Sequence, residues 1–309
     1  MIRLDETEVE RRLATIDLPV LMRETLRAAA SGEGGGPVRA AFTTPDAVWF
    51  GAMPAWVGGA APALGAKLVV AVPANAARGL PTHRAAVVLF DPQTGEPCAW
   101  IEAEALTRDR TAAVSVVATQ ALARRPRGTH AILGAGTQGR AHAAAFARAG
   151  LLDALVVWSR NPTHAESLAA TAREAGTAAR VAANADDAVR GADVITACTA
   201  STEPLFDAAS VADGAHVNAV GACVATKREL PGVLVGSAGV VVDDLAAAQA
   251  EAGDVILAVA EGAASWEGVI TLGAVLAHRA TPRPGRITLF DSLGLGVEDV
   301  AAAAAIVRV

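Results

Sequence analysis

The fold is decided by residues 129–139, which read Thr129-His130-Ala131-Ile132-Leu133-Gly134-Ala135-Gly136-Thr137-Gln138-Gly139. The apolar run before the first glycine predicts a short buried strand, and the alanine-rich segment after the last one predicts a helix. The G-x-G-x-x-G pattern between them is informative because it has this strand–helix context. There Gly134 permits a tight turn, Gly136 lets the backbone approach a pyrophosphate, and Gly139 lets helix and strand pack closely. The stretch therefore predicts a dinucleotide-binding loop. Its six predicted cofactor contacts are Gly134, Ala135, Gly136, Thr137, Gln138 and Gly139.

Downstream of this loop, strand-like and helix-like segments alternate. The predicted strands cover residues 155–158, 179–181, 193–198, 215–220 and 240–242, and the longer helices cover residues 140–149 and 163–175. Strands that alternate with helices are typical of a doubly wound parallel sheet. We therefore predict an α/β protein with a Rossmann domain over residues 116–290.

The chain upstream of the loop has a different pattern. A helical segment over residues 5–30 is interrupted near Pro19, and a glycine-rich loop follows it. Strand-like runs come next, and a turn at residues 91–95 indicates a hairpin, so this region should be a mostly antiparallel sheet. A helix is expected from Thr111 to Leu122. Residues 291–309 should form a helix that packs back on residues 1–115, which completes a separate α+β domain.

Composition excludes several classes of protein. Hydrophobic residues make up 52% of the 309 residues, but alanine supplies much of this share and no strongly apolar run reaches the length of a membrane span. A net charge of −6 without a basic run disfavours nucleic acid as a partner. Three scattered cysteines exclude a disulfide framework and a cysteine-based zinc motif, and no metal site is predicted. The acidic N-terminal segment does not resemble a signal peptide, so we expect a cytoplasmic protein.

The end of the second Rossmann strand distinguishes between NAD and NADP. An acidic residue there would bind the ribose hydroxyls and repel a 2′-phosphate. The sequence instead has Ser159-Arg160-Asn161, one cation with two neutral hydrogen-bonding groups. These three residues predict cofactor contacts and a preference for NADPH, with NADH possible. The alternative is that Arg160 is simply a solvated loop residue.

Three cations in the first domain suggest an anion site. Lys67 lies in an otherwise apolar strand, so its ammonium should either reach the surface or face a ligand. Arg110 lies at the start of the helix expected from Thr111, where a cation is unfavourable because it opposes the helix dipole. Its position is explained if the guanidinium and the helix N-terminus together bind a carboxylate. Arg39 is a plausible third member. From spacing alone, the anion site and ordinary surface cations are equally acceptable interpretations.

Five segments together make the chain resemble the ornithine cyclodeaminase/mu-crystallin family over nearly its whole length. They are residues 65–70 (GAKLVV), 105–113 (ALTRDRTAA), 134–142 (GAGTQGRAH), 217–222 (VNAVGA) and 291–299 (DSLGLGVED). The resemblance implies a homodimer with an N-terminal domain for substrate binding and dimerisation. It also implies that Arg39, Lys67 and Arg110 hold the substrate carboxylate against the nicotinamide. Further predicted cofactor contacts are Thr111, Thr199, Val220 and Leu293.

Departures from the family's patterns indicate which of its reactions to expect. The cyclodeaminases have a Glu just before a Met-Pro pair and an Asp after the Asn-Ala-Val-Gly segment, and these carboxylates bind the substrate amines. Here Met53-Pro54 follows Ala52, and the second position is Cys223. Ketimine reductases similar to mu-crystallin also lack that Asp and favour NADPH.

We therefore expect reduction of a cyclic imino acid, Δ1-pyrroline-2-carboxylate or Δ1-piperideine-2-carboxylate, to L-proline or L-pipecolate. Lys67 or a bound water would supply the proton. The alternatives are an ornithine cyclodeaminase, an alanine or other amino-acid dehydrogenase, and a crystallin-like protein that binds the cofactor without turnover.

Overall fold

The computed structural model describes residues 1–309, and the chain divides into two compact units. The first unit comprises Met1–Arg110 and Gly294–Val309, and the second comprises Thr111–Leu293. None of the helices is both long enough and apolar enough to cross a membrane.

The secondary-structure elements are numbered along the chain. The strands are β1 Ile2–Leu4, β2 Gly34–Gly35, β3 Ala40–Thr43, β4 Trp49–Val57, β5 Ala63–Ala71, β6 His83–Phe90, β7 Pro97–Glu102, β8 Gly128–Leu133, β9 Leu152–Trp158, β10 Ala178–Val181, β11 Val194–Ala197, β12 His216–Ala219, β13 Ala238–Val242, β14 Ile270–Thr271 and β15 Ile287–Asp291. The helices are α1 Glu6–Leu13, α2 Leu18–Ala30, α3 Glu104–Leu122, α4 Thr137–Arg148, α5 Pro162–Glu174, α6 Ala185–Val189, α7 Gly232–Gly236, α8 Leu245–Glu251, α9 Gly253–Ala260, α10 Leu272–Leu276 and α11 Gly296–Arg308. Short 3₁₀ helices cover Pro73–Arg78 and Ala208–Ser210.

The first unit contains a seven-stranded sheet in the order β1-β7-β6-β5-β4-β2, with β3 also paired to β4. All of its pairs are antiparallel except β1 with β7, so the predicted antiparallel sheet is confirmed. The predicted hairpin joins β6 to β7. Its turn is fixed by the Asp91 carboxylate, which accepts the N–H groups of Gln93 at 2.8 Å and Thr94 at 3.0 Å.

Helices α1 and α2 follow β1 in the first unit, and each has an aspartate as its N-cap residue. Asp5 and Asp17 accept N–H groups of the first turn, which would otherwise lack partners. The break between the helices precedes Pro19, which stands in the first turn of α2, where its missing N–H costs no hydrogen bond.

The C-terminal helix α11 packs on α2, β4 and β5 within the first unit, as expected. It begins at Gly296, however, and the expectation of a helix from Asp291 was wrong. Residues Ile287–Asp291 instead form β15, because they pair on both sides within the parallel sheet of the second unit. Gly294, at a φ of 74°, separates the strand from the helix.

The second unit is built on an eight-stranded sheet in the order β10-β9-β8-β11-β12-β15-β13-β14, and every pair is parallel. From β8 the chain continues through β9 and β10 to one side and through β11 and β12 to the other. This reversal confirms the predicted doubly wound sheet. Ile132, Leu155, Val157 and Leu168 pack together in its core. Strands β14 and β15 were not predicted.

Candidate functional site

The dinucleotide loop joins β8 to α4 in the geometry that its glycines allow. Gly134 has a φ of 106°, and its N–H donates to the carbonyl of Trp158 at 2.8 Å. A Cβ on Gly139 would stand 1.8 Å from the carbonyl oxygen of Gly134, so this position excludes every side chain. A Cβ on Gly136 would meet no atom within 4 Å. The loop thus leaves open space over Gly136 at the N-terminus of α4, which suits a pyrophosphate.

Three other predicted cofactor residues lie at the same edge of the parallel sheet. Thr199, Val220 and Leu293 follow the carboxyl ends of β11, β12 and β15, which are neighbouring strands. Val220 and Leu293 are buried, whereas Thr199 is half-buried. Ligands of doubly wound proteins bind at this edge, near the point where the strand order reverses. The fourth predicted residue, Thr111, is buried in α3.

A buried carboxylate, which the sequence did not single out, fixes two of these loops. Glu229 accepts the N–H of Thr199 at 2.5 Å and the N–H of Gly221 at 2.8 Å. Its side chain is fully buried, and this burial raises its pKa to about 7. A lone Glu in a loop sequence carries no signal of such a role, because its partners are backbone groups remote in the chain.

The residues predicted to contact the ribose phosphate follow β9. Arg160 is exposed, and Ser159 is half-buried beside it. The Asn161 side chain caps α5, because its oxygen accepts the N–H of Thr163 at 3.0 Å. That oxygen is therefore engaged by the helix, and the amide nitrogen of Asn161 remains the group that could donate to a phosphate.

Two of the three cations predicted to form an anion site are buried in the first unit. Lys67 of β5 and Arg110 of α3 are each only 3% exposed. Helix α3 begins at Glu104, so the expectation that Arg110 stands at a helix N-terminus was wrong. The segment from Glu104 continues the helix without a glycine or proline to stop it, and Arg110 lies in its second turn. The argument from the helix dipole therefore does not apply to this residue.

Two carboxylates in the first turn of α11 face these cations. Lys67 Nζ lies 2.8 Å from Asp299 Oδ2, and Arg110 Nε lies 2.9 Å from Asp299 Oδ1. Arg110 Nη1 lies 2.8 Å from Glu298 Oε2. Both carboxylates are fully buried. Lys67 does not reach the surface, and an internal anion, Asp299, pairs with its ammonium.

The acids of α11 could have been suspected from the sequence. Glu298 and Asp299 are the only charged residues of that helix before Arg308, and the rest of its segment is apolar. Charges on such a segment must be buried with it, and buried charges need partners. The sequence could not show that the partners lie more than 180 positions upstream.

The charges of two arginines act on the buried Lys67. Burial lowers the pKa of Lys67 to about 8, Asp299 opposes this shift, and the charges of Arg110 and Arg39 add to it. Arg39 is half-buried, with its guanidinium carbon 5.9 Å from the ring centre of Trp49. The structure therefore brings Lys67 and Arg110 together on Asp299, with Arg39 close enough for its charge to act on Lys67.

The antiparallel sheet of the first unit has an exposed apolar face. Trp56 is 45% exposed and Leu64 41%, and the two lie opposite each other on β4 and β5. Trp100 of β7 and Phe42 of β3 are exposed by 41% and 60%. Large apolar side chains that cluster on a sheet surface are typical of a protein–protein interface.

Comparisons with known proteins match nearly the whole chain. The family model for the ornithine cyclodeaminase/mu-crystallin family matches residues 1–308. The ketimine reductase mu-crystallin of Mus musculus is 37% identical over 305 residues, covering 97% of this chain and 93% of the mouse protein.

Solved structures of similar proteins also cover the whole chain, and two of them carry bound cofactors. The Δ1-pyrroline-2-carboxylate reductase of Thermococcus litoralis, in complex with NADH and L-proline, has a TM-score of 0.94 at 28% identity, over 97% of that protein. An archaeal alanine dehydrogenase dimer with bound NAD has a TM-score of 0.93 at 31% identity, over 95% of its chain.

Proposed function

This chain belongs to the ornithine cyclodeaminase/mu-crystallin family, and we propose that it reduces a cyclic imino acid to L-proline or L-pipecolate with a nicotinamide cofactor. The substrate would be Δ1-pyrroline-2-carboxylate or Δ1-piperideine-2-carboxylate. One observation carries the proposal, namely that Lys67 and Arg110 are buried against the same carboxylate, with the charge of Arg39 acting on Lys67. Ammonium and guanidinium groups of this kind bind a substrate carboxylate through charge-assisted hydrogen bonds. The similarity to a ketimine reductase and to a pyrroline-2-carboxylate reductase supports the same reaction.

The cyclodeaminase alternative lacks the groups that it needs. Ornithine carries an additional ammonium, which requires carboxylates in the substrate site. The two positions where the family's cyclodeaminases have them are Ala52 and Cys223 in this chain. A ring imine has no such ammonium, and it therefore fits a site where the carboxylates are already paired with cations.

In the proposed mechanism, the residues of the first unit bind the substrate and supply its proton. Arg110, Lys67 and Arg39 pair with the substrate carboxylate, which orients the C=N bond. The ammonium of Lys67 then donates a proton from Nζ to the imine nitrogen, and a protonated imine accepts hydride more readily. A pKa of about 8 keeps Lys67 protonated at neutral pH yet allows it to give up the proton.

The second unit would hold the cofactor. Residues of the 134–139 loop contact the pyrophosphate, and Thr111, Thr199, Val220 and Leu293 contact the nicotinamide half. When bound, the nicotinamide supplies the hydride. Two observations support this assignment. The open space over Gly136 lets a dinucleotide approach the backbone, and the crowding at Gly139 shows the close packing of strand and helix that this loop requires.

We propose NADPH as the preferred cofactor, with NADH possible. Arg160 is exposed beside Ser159 at the end of β9, and the segment 158–162 contains no acid that would repel a 2′-phosphate. A guanidinium binds a phosphate through charge-assisted hydrogen bonds. The two solved relatives described above contain NADH and NAD.

The active form is proposed to be a homodimer. The exposed apolar face formed by Trp56, Leu64, Trp100 and Phe42 needs a cover of the same character. A second copy of the chain offers the same face, as two-fold interfaces require. The solved alanine dehydrogenase relative is a dimer.

The test follows oxidation of NADPH by its absorbance after Δ1-pyrroline-2-carboxylate is added to the purified protein. We expect turnover that Arg110→Ala abolishes. Arg108→Ala is the matched control, because Arg108 lies on the same helix but pairs with Asp109 and Glu10 nearer the surface. Parallel reactions contain ornithine, or pyruvate with ammonia. Ammonia release from ornithine, or oxidation only with pyruvate and ammonia, would replace the proposal by one of those activities.

A further inference from the structure

We propose that Asp299 is a positioning residue that keeps Lys67 charged and aligned for proton donation, and that Glu298 acts on Arg110 and not on Lys67. This inference rests on the proposed function, because it assigns roles to the groups around the proposed proton donor. Neither Asp299 nor Glu298 was among the site residues predicted from the sequence.

The geometry assigns the two acids different partners. Asp299 contacts both cations, with Oδ2 on Lys67 Nζ at 2.8 Å and Oδ1 on Arg110 Nε at 2.9 Å. Glu298 contacts only Arg110 of these two, through Oε2 and Nη1 at 2.8 Å. The same Glu298 oxygen accepts the N–H of Leu295 at 3.3 Å, which ties it to the start of α11. Asp299 is therefore the link between the lysine and the arginine.

The surroundings of Lys67 make it depend on that link. On the neighbouring strands, Met53 of β4 and Val87 of β6 lie opposite Lys67, and both are apolar. Arg110 of α3 and Arg39 both disfavour its charge, as does burial. Asp299 of α11 is the group that favours the charged form. An ammonium in these surroundings would lose its proton near neutral pH without the carboxylate.

A merely structural role for Asp299 predicts something different. Removing one partner of a buried ion pair is destabilising whatever the pair does. A loss of stability or of activity therefore does not distinguish the two roles. The pKa of Lys67 distinguishes the two roles. If Asp299 only supports the local structure, its loss leaves the pKa of Lys67 unchanged, whereas loss of a neighbouring negative charge lowers that pKa.

The sequence makes this pKa unusually accessible. Lys67 and Lys227 are the only lysines in the chain. Protein labelled with ¹³C at lysine Cε should therefore give two signals in an NMR titration. Lys67→Arg identifies the signal of Lys67, and Lys227 serves as the internal reference. This measurement needs neither substrate nor cofactor.

The experiment compares wild type with Asp299→Asn, Asp299→Glu and Glu298→Gln by this titration and by the dependence of turnover on pH. In wild type we expect Lys67 to titrate near 8. Asp299→Asn should lower that pKa by about 1–3 units and move the alkaline fall of kcat/KM, which reports the free enzyme, to lower pH by the same amount. Asp299→Glu should restore both, and Glu298→Gln should raise KM while moving the pKa of Lys67 less than Asp299→Asn does.

The outcomes separate this inference from the proposed function. An unchanged Lys67 pKa in Asp299→Asn, or an equal shift in Asp299→Glu, would overturn the positioning role. Wild type that oxidises no NADPH with any ring imine would overturn the proposed function, while the titration would still report on Asp299. If Asp299→Asn does not fold, an unaltered pKa in folded Asp299→Glu supports the inference, and a lowered one refutes it.

Discussion

Substitution of Gly136 and Gly139 by alanine tests the dinucleotide loop most directly. The same added methyl group should weaken cofactor binding at one position and destabilise the fold at the other. At Gly136 a Cβ meets nothing within 4 Å, and the φ of −81° is acceptable to alanine. At Gly139 a Cβ would stand 1.8 Å from a backbone oxygen and 3.3 Å from Ile132 Cγ2. Gly136→Ala should therefore impair cofactor binding, and Gly139→Ala should impair folding.

The magnitudes follow from these distances. Gly136→Ala fills only the space over the loop, so its free energy of unfolding should stay within about 1 kcal/mol of wild type. The methyl group lies where the backbone must approach a pyrophosphate, and we expect at least a roughly tenfold rise in Kd, about 1.4 kcal/mol. Gly139→Ala must move the carbonyl of Gly134 or the helix by more than about 1 Å, since such contacts are normally longer than 3 Å. Overpacking of this kind costs about 1–3 kcal/mol or more.

Denaturant unfolding measures the free energy of unfolding, and fluorescence titration or calorimetry measures the Kd for NADPH. Both variants are measured at the same protein concentration as wild type. If Gly136→Ala bound NADPH as tightly as wild type while remaining folded, the 134–139 loop would not be the pyrophosphate site. If Gly139→Ala were as stable as wild type, the packing argument for that glycine would fail.

Three further predictions concern other parts of the molecule. Arg160→Ala should weaken NADPH binding by about tenfold while leaving NADH binding unchanged, because only the 2′-phosphate contacts the guanidinium; equal losses for both cofactors, measured by titration, would contradict this. Burial raises the pKa of Glu229 from its ordinary value of 4.5 to about 7 in the folded protein, so its contribution to stability is complete below pH 4.5 and is lost as pH rises through 7. Across that window the free energy of unfolding of wild type should fall relative to Glu229→Gln by up to about 3 kcal/mol, and parallel pH profiles from denaturant unfolding would refute this. Trp56→Glu, which places a charge on the exposed sheet face, should convert the proposed dimer to a monomer in light scattering; a variant that stays dimeric with undiminished stability would show that the interface lies elsewhere.

Arg110 shows the effect of a misplaced helix boundary. The sequence suggested a helix starting at Thr111, which made Arg110 an anomaly at a helix N-terminus. The structure places the start at Glu104, and the cation is compensated by Glu298 and Asp299. A buried cation needs an anionic partner wherever it lies in a helix, so this need does not depend on the boundary.

The sequence by itself determined the features that depend on neighbouring residues. The glycine spacing of 134–139 specifies a turn through backbone geometry alone, and the alternation of strand and helix patterns specifies a parallel sheet because each pattern has its own period. Even the absence of an acid at 158–162 is local, and it already indicates how a phosphate could be accommodated.

Only the tertiary structure decided which charges meet. Lys67, Arg110 and Asp299 are brought together from β5, α3 and α11, and Glu229 finds its partners on the loops after β11 and β12. Such contacts are not encoded by any spacing, because they arise when separate elements are buried against each other. Burial is also what makes them consequential, since it sets the pKa of Lys67 and of Glu229 through desolvation and neighbouring charges that no linear pattern contains.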